Sequence, residues 1–198
     1  YAELAVRSDT QQARDQAVDK LRDVATRTTR LAEQLLDQAR TEAQSEGPAE
    51  SVALDRLAEM IVRDNEALAH RKQQRISLDA RPASVHGGVD ALGVLLRNLL
   101  DNALRYTPEG GRVAVSCVSL TDGGAQLSVA DNGPGIPPAD RERVFDRFYR
   151  KAGSVERGSG IGLSLVAQIA TRHGARIEWG PGLDGRGVGI TVTFPASV

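Results

Sequence analysis

Apolar residues recur along this chain in two rhythms, and the change between them divides it. Residues 11 to 43 contain no glycine or proline. Within them Ala17, Leu21, Val24, Thr28, Leu31 and Leu35 stand at steps of four, three, four, three and four. That alternation predicts one long helix with a narrow apolar seam, the kind used in coiled coils and four-helix bundles. A lone helix cannot bury such a seam against itself, so the pattern requires a partner helix. Residues 1 to 8 read as the end of such a partner, with Ser8, Asp9 and the polar residues after them forming the turn. The chain begins inside this helical pattern and so reads as part of a longer protein.

Glu46-Gly47-Pro48 breaks the helix, and the texture then changes. The pattern predicts a helical hairpin segment over 1–46, a linker over 47–52 and a mixed domain over 53–198. In the mixed part, Ser51 to His70 is patterned as an amphipathic helix. Arg75 to Asp79 alternates as a strand, and Gly88 to Tyr106 is a strongly apolar helix. Val113 to Leu120 and Gln126 to Ala130 read as strands, and Asp140 to Tyr149 as a short helical segment. Gly162 to His173 is a helix closed by Gly174, and Arg176 to Trp179 and Gly189 to Phe194 are final strands. Helices interspersed with consecutive strands predict an α+β fold: a two-layer sandwich, its mixed sheet covered on one face by helices.

Composition changes this picture little. The formal net charge is −1, which gives no electrostatic case for nucleic acid or an anionic membrane. No apolar run is long enough to span a bilayer. The single cysteine, Cys117, excludes an internal disulfide and falls at an inward strand position. His70 and His86 have no neighbours at metal-ligand spacing, and His173 sits in the last turn of a helix, where a cation suits the dipole. No Cys/His cluster suggests zinc.

Three segments carry chemistry. On the helix 88–106, Asn98, Asn102 and Arg105 share one face, with Asp101 beside them, while Leu92, Leu95, Leu96, Leu99 and Ala103 form another. Asparagine is a poor mid-helix residue, so two on one face point to a ligand, although a solvated face gives the same pattern. An amide oxygen suits Mg²⁺, which binds few protein groups and keeps waters and phosphates. Next, the strand Leu127 to Asp131 runs into Asn132-Gly133-Pro134-Gly135. A carboxylate at a strand end can accept a hydrogen bond from an exocyclic amino group; taken alone, Asp-Asn-Gly is first of all a turn sequence. Last, Gly158-x-Gly160-x-Gly162 opens a helix, where backbone N–H groups and the dipole favour an anion. Alone it is weak, and it is neither a dinucleotide fingerprint nor a Walker loop. Between the last two segments, Val144 to Arg157 reads as a mobile flap with aromatic anchors, its Arg147, Arg150, Lys151 and Arg157 within reach of phosphate.

In this order and spacing the segments resemble the N, G1, F and G2 boxes of bacterial sensor histidine kinases. The N box is Asn98 to Tyr106, G1 is Asp131-x-Gly133-x-Gly135, the F box starts at Phe145, and G2 is Gly158-x-Gly160-x-Gly162. Residues 187–195 are similar to the family's last strand. The resemblance implies the Bergerat ATP-binding sandwich, with ATP and Mg²⁺ as cofactors. It implies that Asn102 coordinates Mg²⁺ and that Asn98 lies near the phosphates. Asp131 would bind the adenine amino group, with Gly133, Gly135 and Ile136 shaping the base pocket. Gly158, Ser159, Gly160, Gly162 and Leu163 would hold phosphates, under Arg150 and Arg157 of the flap. Arg105 and Tyr106 would line the triphosphate and sugar, making Asn98, Asn102 and Arg105 the catalytic set.

The family's acceptor histidine stands in a His-Glu-x-x-x-Pro setting on the first hairpin helix. None of His70, His86 or His173 is followed by that sequence. The expected activity is therefore a protein-histidine kinase core that binds ATP without phosphorylating itself. Its phosphoryl group would pass to a histidine upstream and then to an aspartate of a response regulator receiver domain. The implied assembly is a homodimer through the hairpin. The implied location is the cytoplasmic side of a parent protein in the bacterial inner membrane, the segment itself not membrane-inserted. An ATPase of the same fold driving conformational change, a serine kinase of the anti-sigma type, and a non-catalytic nucleotide-binding module are the competing readings.

Overall fold

The computed structural model describes residues 50–149 and 160–196, all within one compact unit, Thr41–Val198. The hairpin expected over 1–46, its apolar seam, and Arg150, Arg157, Gly158 and Ser159 lie outside the described residues.

A five-stranded mixed sheet carries the fold. Its strands are β2 (Arg75–Ala80), β4 (Arg112–Ser119), β5 (Ala125–Asp131), β6 (Arg176–Pro181) and β7 (Val188–Phe194), in the order β2-β4-β5-β7-β6. β2 runs parallel to β4, and the other pairs are antiparallel. A small second sheet pairs β1 (Glu50–Ala53) with β3 (Ser84–Gly87). Three helices complete the unit: α1 (Leu54–Arg71), α2 (Val89–Tyr106) and α3 (Gly162–Arg172).

The sheet is amphipathic because side chains alternate along each strand. Val113, Val115 and Cys117 of β4, Leu127 and Val129 of β5, and Ile190, Val192 and Phe194 of β7 are buried together. Their registers align them in rows, Val115 with Val129 and Val129 with Ile190. The opposite face is polar, and there the Thr191 hydroxyl donates to the Ser128 hydroxyl at 3.1 Å. The helices supply the other half of the core. α2 buries Leu92, Leu95, Leu96, Leu99, Leu100 and Leu104, which leaves its Asn98 and Asn102 face outside the core. Among the described residues no helix is long and apolar enough to cross a membrane.

Two expectations are corrected. Residues 51–53 do not begin the first helix: they pair with Ser84–Val85–His86, and α1 starts at Leu54. Hydrogen bonds from β3, far downstream in the chain, outcompete a local pattern that fits either structure. Asp140–Tyr149 is not one helical segment. It holds the second of two 3₁₀ turns, Arg143–Phe145, while Asp140 closes the first, Pro138–Asp140. Cys117 is buried and free as expected, and burial pushes its thiol up.

The C-terminus of α2 is fastened by the turn after α1. Lys72 Nζ donates to the Leu104 carbonyl at 3.0 Å. The buried Gln74 amide donates to the carbonyls of Leu104 and Thr107. These carbonyls belong to a helix end that lacks intrahelical donors, and a cation there also suits the dipole. Removing a buried donor strands its acceptors, at about 1–3 kcal/mol. Gln74→Ala should therefore lower unfolding stability by that amount in urea denaturation. A loss under about 0.5 kcal/mol, the range of surface changes, would show that the clamp contributes nothing.

Candidate nucleotide-binding site

Asp131 ends the central strand β5 and is only 6% exposed, the only buried carboxylate among the described residues. The chain then turns, and the Gly133 N–H donates to Asp131 Oδ1 at 2.8 Å. The Val188 N–H donates to the same carboxyl from the start of β7. Burial still dominates these two bonds and raises the Asp131 pKa above the ordinary carboxylate range. A carboxylate offers about four lone-pair sites, so two backbone donors leave room for a third from a ligand.

The surroundings of Asp131 are built from backbone. Gly187, at φ +75°, passes so close that a Cβ there would stand 2.6 Å from Asp131 Oδ1. Only glycine combines that conformation with that approach. Gly135 lies against the Gly187 carbonyl, and Gly133 against the Tyr106 carbonyl, which joins this loop to the last turn of α2. Asn132 is locked to β4: its Oδ1 accepts from the Arg112 N–H at 2.7 Å, and its own N–H donates to the Arg112 carbonyl. The Arg112 side chain pairs with Asp184 in the β6–β7 turn.

The second half of the site lies between α2 and α3. The Asn98 amide donates to the Val94 carbonyl at 2.8 Å, which fixes its rotation and leaves Oδ1 facing away. A Cβ at Gly162 would stand 2.8 Å from that Oδ1. The bare N-terminus of α3 therefore sits against the Asn98 face of α2. No side chain caps α3, and Ser164 turns its hydroxyl back onto the Ile161 carbonyl at 2.7 Å. An uncapped helix start beside a fixed amide oxygen can receive a phosphate and a cation together. Among the described residues no group of three or more His, Cys, Asp and Glu could hold a metal. A metal here would rest on amide and phosphate oxygens, a donor set that fits Mg²⁺.

The sequence-derived residues thus fall into two neighbouring groups. Asp131, Gly133, Gly135 and the exposed Tyr106 gather at the end of β5. Asn98, Gly162 and the buried Leu163 gather at the start of α3, with the half-buried Asn102 and Arg105 further along α2. Ile136 follows the first group directly in the chain, its carbonyl accepting from Arg141 Nε at 3.3 Å. Gly160, at φ +72°, lies against the backbone of Phe148 and Tyr149. Three participants escaped sequence reasoning: Gly187 and Val188 behind Asp131, and Trp179, which meets the segment after Ile136. The Gly-rich turn 182–187 was visible in the sequence, but nothing local says which residue it presses on.

Residues 87–198 match the family model described as "Histidine kinase-, DNA gyrase B-, and HSP90-like ATPase". The swarming motility regulation sensor protein RssA of Serratia marcescens is 35% identical over 190 residues, 94% of this chain. This chain spans only 40% of RssA's length. The structure of the mycobacterial sensor histidine kinase MprB superposes with a TM-score of 0.63 at 34% identity, covering 74% of this chain and 97% of that one. Full-length ShkA in complex with AMPPNP superposes with a TM-score of 0.75 at 26% identity, covering 98% of this chain and 41% of that one. The chain belongs to the histidine kinase-, DNA gyrase B- and HSP90-like ATPase family, as the ATP-binding catalytic domain of a sensor histidine kinase.

Proposed function

We propose that this domain grips Mg²⁺·ATP across its two groups of residues and presents the γ-phosphoryl group to a histidine of the parent kinase. The observation that carries the reading is the buried Asp131 carboxylate, backed by glycine and held by two backbone donors. Such a group is costly unless a ligand uses it. The adenine amino group is a donor of the right kind, and ShkA, of the same fold, is described with an adenine nucleotide analogue. Gly133, Gly135 and Ile136 line the base, and Tyr106 and Arg105 the sugar and phosphates. Asn102, with Asn98 beside it, offers an amide oxygen to Mg²⁺. The N–H groups of Gly162 and Leu163 meet phosphate oxygens, joined by Gly158, Ser159, Gly160, Arg150 and Arg157. Bound Mg²⁺ supplies charge neutralisation, and the protein supplies position, which is most of what phosphoryl transfer needs.

The acceptor is proposed to be a histidine outside this sequence, since none of its three histidines has the family's His-Glu-x-x-x-Pro setting. From there the phosphoryl group would move to a response regulator aspartate. Dimerisation through the helical hairpin, and a parent anchored in the cell membrane with this domain on the cytoplasmic side, complete the proposal. A conformational ATPase of the same fold is the second reading. The relatives named as sensor proteins, and the bundle-like seam over residues 17–35, favour the kinase.

Calorimetric titration with ATP and ADP, with and without Mg²⁺, tests the site. Asp131→Asn should weaken adenine-nucleotide binding by about 1.5–3 kcal/mol, roughly 10- to 150-fold in Kd. Asn102→Ala should abolish the Mg²⁺ dependence of ATP binding. An intact chain that binds no adenine nucleotide would sink the reading.

Asp131 also predicts a stability signature. Its folded-state pKa is raised, so its contribution to stability is fully present below the unfolded value and is lost as pH rises through the folded one. The nucleotide-free domain thus bears the cost of a buried charge once pH has risen through that folded value. Nucleotide-free Asp131→Asn should gain melting temperature relative to wild type as pH rises through it, and the gain should shrink as pH falls below it. A difference that does not grow with pH would contradict this.

A further inference from the structure

Trp179, the single tryptophan of the chain, stands on the edge strand β6. It pairs with Ile190, which pairs in turn with Val129. Asp131 is two residues beyond Val129, so Trp179 and Asp131 point to the same face of the sheet. The segment after the first glycine loop comes back onto this indole twice. The Phe145 ring packs on it with centroids 5.4 Å apart at 46°, and the Arg141 guanidinium lies 5.6 Å from the ring centroid. Arg141 also donates to the Ile136 carbonyl, so one side chain joins the indole to the loop that carries Asp131 and Gly133.

The same segment is fastened to itself and to the second glycine loop. The Tyr149 hydroxyl donates to Asp140 at 2.9 Å, and Arg143 lies over the Tyr149 ring at 4.6 Å. The Phe148 N–H donates to the Gly160 carbonyl at 2.9 Å. Phe148 is held at φ +64°, a rare conformation for a bulky side chain, and the residue is 70% exposed. Residues 137–149 therefore form a braced strap between Ile136 and Gly160, the two ends that border the base and the phosphates. The aromatic and cation contacts that tie this strap to the sheet converge on Trp179.

Resting on the nucleotide reading above, we propose that Trp179 is a positioning residue for nucleotide binding. The indole anchors the strap to the sheet edge and so sets the spacing between the two glycine loops. Losing the anchor leaves Asp131 and the α3 N-terminus intact but frees the strap to spread, so ligand ordering costs more entropy. Phenylalanine retains a ring for Phe145 and Arg141, and alanine retains neither.

The test is calorimetric titration of the whole chain with ADP for wild type, Trp179→Phe, Trp179→Ala and Arg141→Ala, with melting curves for each. The indole contacts set an expected loss of about tenfold in ADP affinity for Trp179→Ala. Trp179→Phe should stay within about threefold. Arg141→Ala, which leaves the sheet untouched, should lose affinity severalfold with an unchanged melting temperature. Emission of the lone tryptophan in wild type should shift on adding ADP. A merely structural tryptophan would lower the melting temperature and leave the affinity of the folded variant unchanged. Wild-type affinity in folded Trp179→Ala overturns the proposal alone. If that variant does not fold, wild-type affinity in Arg141→Ala overturns it. A wild-type chain that binds no ADP overturns the nucleotide reading, and this proposal with it.

Discussion

A carboxylate buried at the end of the central strand constrains the rest of the site. Desolvation raises the pKa of Asp131 despite two backbone donors, so the free energy of the empty domain is raised by the group that a base would use. Both donors must come close, and only main chain can come that close from two sides. Gly133 does so from the following turn and Gly187 opens the way for Val188 from β7. The sheet order follows the same need. β5 lies between β4 and β7, so β4 can hold Asn132, the residue that follows Asp131, through Arg112, while β7 brings Val188 to the Asp131 carboxyl.

The proposed phosphate half obeys a different constraint. Asn98 is useful because its rotation is fixed by Val94, and α3 is useful because its first turn is uncapped and begins with a glycine. Two rigid helices thus meet through one amide oxygen and one bare helix end. The strap over residues 137–149 is held differently, as two 3₁₀ turns braced by ring, cation and hydroxyl contacts. In the proposed reading the two helices position and neutralise the ligand, which is most of what phosphoryl transfer needs.

Much of this was legible in the sequence because it was local. The phase of α2 separates Leu95, Leu96 and Leu99 from Asn98 and Asn102, and α3 is closed just past its end by Gly174, which has the positive φ of 61° expected of a helix-terminating glycine. The ends of β5 and the start of α3 coincide with the glycine motifs. What escaped was decided at long range. Ser51 to Ala53 fits a helix until Ser84 to His86 offers it hydrogen bonds. Trp179 reads as one more strand residue until residues 141 and 145 arrive, more than 30 positions away. Gln74 is an ordinary polar residue in sequence, and its burial against the end of α2 depends on how α1 turns into β2.

The hairpin β6–β7 supports both Asp131 and the strap, and the relative strength of its contacts shows how. Its turn is tied to β4 by Arg112 and Asp184, but both side chains are about half exposed. Ion pairs of that kind are screened by water and salt and contribute little. The tighter restraint is steric and backbone-borne: Gly187 presses on Asp131 from behind, and Val188 donates to its carboxyl. On the far strand of the same hairpin Trp179 meets Arg141 and Phe145. Displacing the hairpin would therefore move the floor of the base site and the anchor of the strap together. An exposed edge strand, ordinarily a site tolerant of change, is here tied on one side to a buried charge and on the other to the strap beside it.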